Sequence, residues 1–404
     1  MALDPYRRVL AVPAARQAML LGILLRVPMF AGGVVLTLHV VGSLGRNYGQ
    51  AGLVSAAATV CIAISGPWRG RLLDRIGLRR VVVPSIVVTA VCWSIAPFVG
   101  YWLLLTLAAL AGLFVVPTFS IIRQAVLAAV PEADRRSALS LDAIAVEVSF
   151  MIGPLAGVWA ATVWPTSWVL FAIGMCDVLA GAALWIADLP LTTGAGAGED
   201  RPAKRIPRRE WFTPAFVAVC AAAATSTVVL LGTELSIIAA LRDFNAAGLI
   251  GPILAIWGLG SMVGGFIYGA LHRSIPAFLL LGGLSLATLP LALAPSEWPL
   301  AVLSFVAGIV CAPTITATID QLSRVVPERA RGEALGWHGS SMTAGSAIGA
   351  PLAGVAIDWW GDGGGFVIVA GLGFAVALLG QLTVLRVQRG GVSTAEPLAV
   401  SPAG

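Results

Sequence analysis

The sequence carries little charge. Asp, Glu, Lys and Arg together make up 11% of its 404 residues, whereas hydrophobic residues make up 58%. Soluble globular proteins carry about 25% charged and about 45–50% apolar residues. The mean hydropathy of +0.92 points the same way. This composition excludes a soluble enzyme, a disordered regulator and a coiled coil, and it indicates a chain that folds in a lipid bilayer.

Residues and motifs that carry chemistry are scarce. There are three His and five Cys, and the cysteines form no CxxC pair and no plausible disulfide set. HExxH, GxSxG and the P-loop GxxxxGK are absent, so ATP is not the expected energy source. We expect no metal, no cofactor and no enzymatic activity. The net charge of +5 does not predict a nucleic-acid partner, because the basic residues fall at the ends of apolar runs.

The apolar runs are long enough to span a membrane as α-helices. A membrane-spanning helix needs about 20 apolar residues, whereas a barrel strand alternates over about 10. The sequence therefore predicts an all-α polytopic membrane protein. Its first run, Met19 to Leu44, has no cleavage-like ending and is expected to act as an uncleaved insertion signal. Twelve transmembrane helices are predicted, over residues 19–44, 50–68, 81–99, 102–129, 138–163, 167–187, 213–241, 247–270, 276–294, 298–325, 336–359 and 365–386.

The basic residues predict the orientation of these helices. Of the 25 Lys and Arg residues, 21 fall in segments on the same side as the N-terminus, and only Arg46 and Arg242 fall on the other side. Lys and Arg concentrate in cytoplasmic loops. We therefore expect both termini in the cytoplasm. The 24 Arg, single Lys and abundant Ala hint at a GC-rich bacterial genome, hence a multi-pass protein of the bacterial plasma (inner) membrane.

The two halves of the sequence match at an offset of about 196 residues. Such a repeat predicts two six-helix bundles with pseudo-twofold symmetry and a substrate site between them, near the middle of the membrane. We expect an N-terminal bundle over 1–190, a cytoplasmic linker over 191–212, a C-terminal bundle over 213–390 and a disordered cytoplasmic tail over 391–404, in a monomer. The matching segments include Ala51-Gly52-Leu53 with Ala247-Gly248-Leu249, Pro117-Thr118 with Pro313-Thr314, and Pro154-Leu155-Ala156-Gly157 with Pro351-Leu352-Ala353-Gly354.

The segment after the second predicted helix carries a recognisable signature. Residues 70–80 read Gly-Arg-Leu-Leu-Asp-Arg-Ile-Gly-Leu-Arg-Arg. This resembles the signature loop of the major facilitator superfamily, Gly-x-Leu-x-Asp-Arg-x-Gly followed by basic residues, although Leu78 stands where a basic residue is commoner. In that family the loop latches the two bundles on the cytoplasmic side. The resemblance implies this role for Gly70, Asp74, Arg75, Gly77, Arg79 and Arg80.

The fifth predicted helix contains Gly153-Pro154-Leu155-Ala156-Gly157. This segment is similar to the Gly-Pro-x-x-Gly core of the bacterial drug/proton antiporter branch of that superfamily, although Val158 replaces a usual second glycine. The resemblance favours an antiporter over a symporter. Ordinary helix packing is the alternative, because small residues four apart let helices approach closely and the eleventh helix carries the same set.

Glu147 is the predicted proton carrier. A charge at mid-membrane costs at least about 2.5–3.5 kcal/mol, so each one is a functional candidate. Glu147 lies about 15 Å into the fifth helix, and Arg123 and Arg26 are its candidate partners. A permanent ion pair that fixes the helices is the alternative. Many drug/proton antiporters carry an Arg in the outer half of the fourth helix, whereas Leu103 to Leu113 is apolar here and Arg123 lies deeper.

Other intramembrane residues are candidates for the substrate cavity: His39, Glu234, Asp320 and Trp257. The alternative for His39 is a hydrogen-bonded polar residue without a substrate role, and the alternative for Trp257 is packing. Asp320 is the near-repeat partner of Arg123, so the two are expected to form a cytoplasmic gate or a polar substrate site. A hydrogen-bonded acid inside one bundle is the alternative.

Two further acidic residues are assigned structural roles. Asp142 lies about 140° around the fifth helix from Glu147, so the two carboxyl groups are not expected to share a partner. Asp177 lies on the sixth helix, and we expect it to form a buried hydrogen bond with a neighbour.

These features predict a secondary active transporter. Proton-coupled export of small amphipathic molecules by alternating access is favoured, with the substrate, protons and the lipid bilayer as its only partners. Proton-coupled import of a small nutrient is the first alternative. A membrane-embedded protein of the same fold without transport activity is the second.

Overall fold

The chain is almost entirely helical where it is described. The computed structural model describes residues 4–131, 134–190, 208–271, 275–327 and 330–392, and these contain no β-strand. The helices are α1 (Asp4–Ala11), α2 (Pro13–Leu38), α3 (Tyr48–Ile76), α4 (Leu78–Ile95), α5 (Tyr101–Leu113), α6 (Thr118–Ala129), α7 (Arg135–Val163), α8 (Thr166–Ala187), α9 (Arg208–Trp211), α10 (Pro214–Asp243), α11 (Ile250–Ala270), α12 (Ala277–Thr288), α13 (Glu297–Val325), α14 (Arg331–Trp360) and α15 (Asp362–Val392).

The number of membrane spans agrees with the sequence. Within the described ranges, eleven helical segments are long and apolar enough to cross a membrane. A twelfth, Ala277–Leu293, is shorter. It consists of α12 and the 3₁₀ turn that follows. The prediction of an all-α protein with twelve transmembrane helices is therefore confirmed.

Two helix boundaries differ from the prediction. The predicted fourth helix, 102–129, is interrupted between Leu113 and Thr118. Pro117 explains the break, because proline has no N–H and its ring clashes with the preceding turn of a helix. The second helix continues past residue 68 to Ile76 and ends at Gly77. Much of the signature loop is therefore helical.

The linker and the tail lie largely outside the described residues. The structure does not describe residues 191–207 or 393–404, so the boundaries of both segments stay predictions. The end of the linker forms the short helix α9, where the buried Trp211 packs edge-to-face on Phe216 of α10.

The helices pack into two bundles that contact each other through equivalent pairs. In the N-terminal bundle α2 packs on α7 and α8, and α3 packs on α5. In the C-terminal bundle α10 packs on α14 and α15, and α11 packs on α13. Between the bundles α3 packs on α14, and α7 packs on α11. The sequence repeat relates α3 to α11 and α7 to α14, so these two contacts are the pair that a pseudo-twofold axis requires.

Glycines allow the bundles to approach closely at one end. A Cβ atom on Gly52 of α3 would lie 2.7 Å from the nitrogen of Pro351 in α14. A Cβ atom on Gly251 of α11 would lie 2.7 Å from the Cα atom of Leu155 in α7. Both contacts lie in the half of the helices away from the basic loops. The bundles are therefore in close contact at the end opposite the basic loops.

Candidate functional site

A cavity of about 220 Å³ lies between the two bundles and contains Glu147; we call it the Glu147 cavity. The N-terminal bundle contributes Phe30 of α2 and Glu147 of α7. The C-terminal bundle contributes Glu234 of α10, and Trp257 and Ser261 of α11. The predicted proton carrier and two predicted cavity residues, Glu234 and Trp257, therefore line one space at the bundle interface.

The Glu147 carboxyl group forms a contact across the bundle interface. Its side chain is half-buried and faces the Ser261 hydroxyl of the opposite bundle, which lines the same cavity. Neither bundle alone provides this arrangement. Any movement that separates α7 from α11 changes the surroundings of the carboxyl group.

Three aromatic rings bridge the bundles at the same cavity. The Phe30 and Phe150 rings meet edge-to-face with centroids 5.3 Å apart. The Phe150 and Trp257 rings do the same at 5.9 Å. Phe30 and Phe150 belong to the N-terminal bundle, whereas Trp257 belongs to the C-terminal one. The Glu147 cavity thus combines an acid with a mainly apolar, aromatic lining, which is typical of sites for amphipathic ligands.

A second cavity of about 350 Å³ extends into the N-terminal bundle; we call it the Asp177 cavity. Its lining comes mainly from that bundle, including Asp177 of α8, and partly from α10 and α14. Glu234 lines both cavities. The expected hydrogen bond of Asp177 is absent, since its carboxyl group forms no hydrogen bond or ion pair with any described residue. Asp177 lines the cavity.

Arg26 is paired with Asp142 and not with Glu147. The Arg26 Nη1 atom lies 2.8 Å from an Asp142 carboxylate oxygen, and both side chains are almost fully buried. The Arg26 guanidinium also lies 5.1 Å from the centroid of the Phe119 ring. The separation of Asp142 and Glu147 around α7 explains this choice, because only one of them faces α2 at this level. Arg123 is exposed and forms no ion pair with any described residue.

His39 and Asp320 lie outside the lining of both cavities. His39 is buried, and its Nδ1 atom is 2.8 Å from the Thr166 hydroxyl at the start of α8. Asp320 pairs with Arg324 one turn later on α13, at 3.1 Å. Residues four apart on a helix are neighbours, so Arg324 lies close to Asp320 within α13. The structure therefore does not bring Asp320 together with Arg123.

The signature segment is described only in part. Gly77 separates α3 from α4 with a φ of +81°, a conformation that glycine adopts without strain. Arg79 contacts its own bundle, where its Nε atom is 3.2 Å from Asp188 at the end of α8. Arg80 is exposed. The side chains of Asp74 and Arg75, and the surroundings of Gly70, lie outside the described part, so the latch stays a prediction.

The Gly153-Pro154-Gly157 segment packs α7 against two helices at once. A Cβ atom on Gly153 would lie 2.7 Å from the Val27 carbonyl oxygen, and one on Gly157 would lie 3.1 Å from the Ala31 Cβ atom, both on α2. The Pro154 carbonyl oxygen faces Gly251 of the opposite bundle. The motif therefore provides close packing where the bundles meet.

Replacing Gly153 by valine is expected to destabilise the protein by about 1–3 kcal/mol, because overpacking forces neighbouring atoms to move. The loss is measured as a lower midpoint of thermal unfolding of the purified protein. Gly371→Val is the matched control, since a Cβ atom there meets nothing within 4 Å. Equal midpoints for the two variants would contradict the close packing of α7 on α2.

An acid from one bundle caps a helix of the other at the end opposite the basic loops, where the bundles are in close contact; we call this the closed end. The Asp358 carboxylate of α14 accepts hydrogen bonds from the backbone N–H groups of Tyr48, at 3.0 Å, and Gly49, at 2.8 Å. These are first-turn donors of α3, which lack partners within their own helix. An acid at a helix N-terminus is also favoured by the helix dipole. This contact stabilises the closed end.

Asp358→Ala removes this cap and is expected to destabilise the closed state by about 0.5–2 kcal/mol, as other N-cap losses do. The fraction of molecules in which the two bundles are separated at that end should therefore rise. Distances between spin labels at Trp164 and Trp298, exposed residues of the two bundles, report it in a background free of the native cysteines. Asp243→Ala is the control, because that exposed carboxylate forms no hydrogen bond or ion pair with described residues. Unchanged distances in Asp358→Ala would exclude the cap from the closure.

Sequence reasoning missed three contributors to this region. Ser261, Asp358 and the cavity-facing position of Asp177 were not predicted. Asp358 and Ser261 act through contacts with the opposite bundle, which helix periodicity does not reveal. Asp177 carried a signal, because an intramembrane acid is a functional candidate by default. Among the described residues, no group of three or more His, Cys, Asp or Glu is arranged to hold a metal ion.

Comparison with known proteins finds one family model that covers most of the chain and a curated relative that matches a third of it. The family model described as Major Facilitator Superfamily matches residues 18–299 and 235–399. The fatty acid resistance protein FarB of Neisseria gonorrhoeae is 30% identical over 135 residues, which are 33% of this chain and 26% of FarB. The match thus spans about a quarter of that relative.

Solved transporter structures share the fold. A bacterial homologue of the human lysosomal transporter Spinster, in an inward-facing and unoccupied conformation, has a TM-score of 0.71 at 15% identity, with 93% of this chain and 98% of that chain covered. The nucleoside transporter NupG has a TM-score of 0.71 at 12% identity, with 92% and 98% covered. The peptide transporter POT, in complex with sulfate, has a TM-score of 0.72 at 14% identity, with 96% of this chain and 99% of that chain covered.

Proposed function

The chain belongs to the Major Facilitator Superfamily and is a membrane transporter, not an enzyme; on this premise we propose that it exports small amphipathic molecules in exchange for protons. Transport proceeds by alternating access, in which the two bundles rock about the cavity between them. The protein acts as a monomer, with both termini on the cytoplasmic side of a bacterial plasma membrane.

The position of the Glu147 carboxyl group carries this proposal. Its contact with Ser261 crosses the surface along which the bundles move. Movement of the bundles replaces this partner with other surroundings. A carboxyl group that alternates between two environments takes up a proton in one and releases it in the other, since desolvation, nearby charges and hydrogen bonds set its proton affinity.

The lining of the cavities supports an amphipathic substrate. Around the acids, the walls consist mostly of aliphatic and aromatic side chains, among them Phe30, Phe150 and Trp257. Such walls bind apolar surface, and a few polar groups orient the ligand.

Two similarities support export as the direction. The segment around Gly153 and Pro154 resembles the core of the drug/proton antiporter branch, and FarB is named for resistance to fatty acids. The nucleoside and peptide transporters among the structural neighbours are similar in fold alone, so no nutrient is proposed as the substrate.

The test is accumulation of a panel of amphipathic dyes and drugs in an efflux-deficient bacterium. Cells that express the wild-type protein should accumulate less of at least one compound than cells with an empty vector. A protonophore should abolish the difference. Accumulation that stays low in expressing cells despite the protonophore would contradict proton coupling. Higher accumulation in expressing cells than in cells with an empty vector would indicate import.

A further inference from the structure

We propose that the Asp177 cavity binds the positively charged group of an organic cation, with Asp177 as its main counter-ion. This inference rests on the proposed function, because it names the substrate class of the same transporter. It starts from the cavity of about 350 Å³ that reaches from the bundle interface into the N-terminal bundle. That volume lies in the range of cavities that hold drug-sized ligands.

The charges in the lining are all of one sign. Asp177 of α8 and Glu234 of α10 both line the cavity, and its described lining contains no Lys, Arg or His. The Asp177 carboxyl group has no hydrogen-bond or ion-pair partner among the described residues. An enclosed carboxylate without a partner is costly, and a bound cation supplies the missing charge.

The arginines near the cavity are already engaged. Arg26 is buried and paired with Asp142 at 2.8 Å. Arg69 is buried and donates hydrogen bonds to the Ser85 hydroxyl and to the Val81 carbonyl oxygen. Neither side chain belongs to the lining. The negative charge of the cavity is therefore left for a ligand.

The rest of the lining suits the body of an organic cation rather than a metal ion. Trp93 of α4 lines the cavity and lies against Gly174, one turn before Asp177 on α8, and an indole face attracts organic cations. Thr89, Ser55 and Thr59 supply hydroxyl groups, while most other lining side chains are aliphatic. A metal ion would need several oxygen ligands around one point, whereas an organic cation needs one counter-ion and apolar walls.

Glu234 connects this site to the Glu147 cavity. Glu234 lines both spaces, so its carboxyl group adjoins both the proposed cation site and the cavity of the proton carrier. The two cavities then have different roles. The Asp177 cavity holds the substrate, and Glu147 with Ser261 carries the proton.

The test is equilibrium binding of radiolabelled tetraphenylphosphonium to the purified full-length protein, without any proton gradient. Tetraphenylborate, an anion of nearly the same shape, is the probe of opposite charge. The wild-type protein should bind the cation and not the anion. Asp177→Asn should weaken binding of the cation about tenfold or more, because it removes the facing charge and keeps the size of the side chain. Asp177→Glu should retain most of the binding.

Two controls keep this result independent of folding and of proton coupling. Cys176→Ala changes an exposed residue next to Asp177 and should bind as the wild-type protein does. Glu297→Gln changes a carboxyl group outside the lining of both cavities and should also bind the cation. Because binding is measured without a proton gradient, failure of proton coupling leaves this inference standing. Equal binding of cation and anion, no binding of the cation, or unchanged affinity in Asp177→Asn would each overturn the proposal.

Discussion

Glu147→Gln is expected to abolish proton-driven transport while leaving the protein folded. Glutamine keeps the size of the side chain and a polar group facing Ser261, but it cannot release a proton. Export that depends on the proton gradient should therefore fall to the level of the empty vector. The measurement is accumulation of an exported dye in energised cells, compared with expression in the membrane.

A second glutamate serves as the matched control for this variant. Glu297 lies at the start of α13, outside the lining of both cavities. Glu297→Gln should export the dye at the wild-type rate. Export that persists in Glu147→Gln would show that Glu147 has a structural role, and Glu234 would become the next candidate proton carrier.

Arg26→Met is expected to destabilise the protein by about 3–5 kcal/mol. The change removes one partner of a buried ion pair and leaves the Asp142 carboxylate uncompensated in an apolar bundle. A large fall in the midpoint of thermal unfolding of the purified protein should report this loss.

Removing both charges together separates a structural pair from a functional one. Arg26→Met combined with Asp142→Leu should recover most of the lost stability, because an apolar pair of similar volume often replaces a buried ion pair without loss. Dye export should recover with it if the pair only joins α2 to α7. A stable double variant without export would instead place this pair in the transport cycle.

The fold could be predicted from the sequence because hydropathy and the repeat give independent information. Twenty-residue apolar runs indicate spans, and the match of Pro154-Leu155-Ala156-Gly157 with Pro351-Leu352-Ala353-Gly354 indicates two related bundles. The repeat also explains the paired contacts of α3 with α14 and α7 with α11. Hydropathy averages over about twenty residues, however, so it did not detect the break of the fourth span before Pro117.

The depth of Glu147 could be predicted from its place in the fifth helix, but its position at the bundle interface and its partner could not. Arg26 was a candidate partner by depth, yet it pairs with Asp142 because helix rotation decides which acid faces α2. Ser261 lies over one hundred residues away in the chain, so only the packing of α7 on α11 brings it to Glu147. Asp320 had a nearer partner in Arg324. Local spacing predicts contacts within a helix, whereas contacts between bundles depend on tertiary packing.

The most direct test of the account is transport by the purified protein in liposomes under an imposed pH gradient. With a compound that the cells export, the wild-type protein should accumulate it against its own gradient as protons move the other way. Glu147→Gln should still exchange labelled for unlabelled compound, because binding and bundle movement remain, but it should not accumulate it. Equal accumulation by Glu147→Gln, or wild-type movement that only equalises the concentrations, would contradict proton exchange through Glu147.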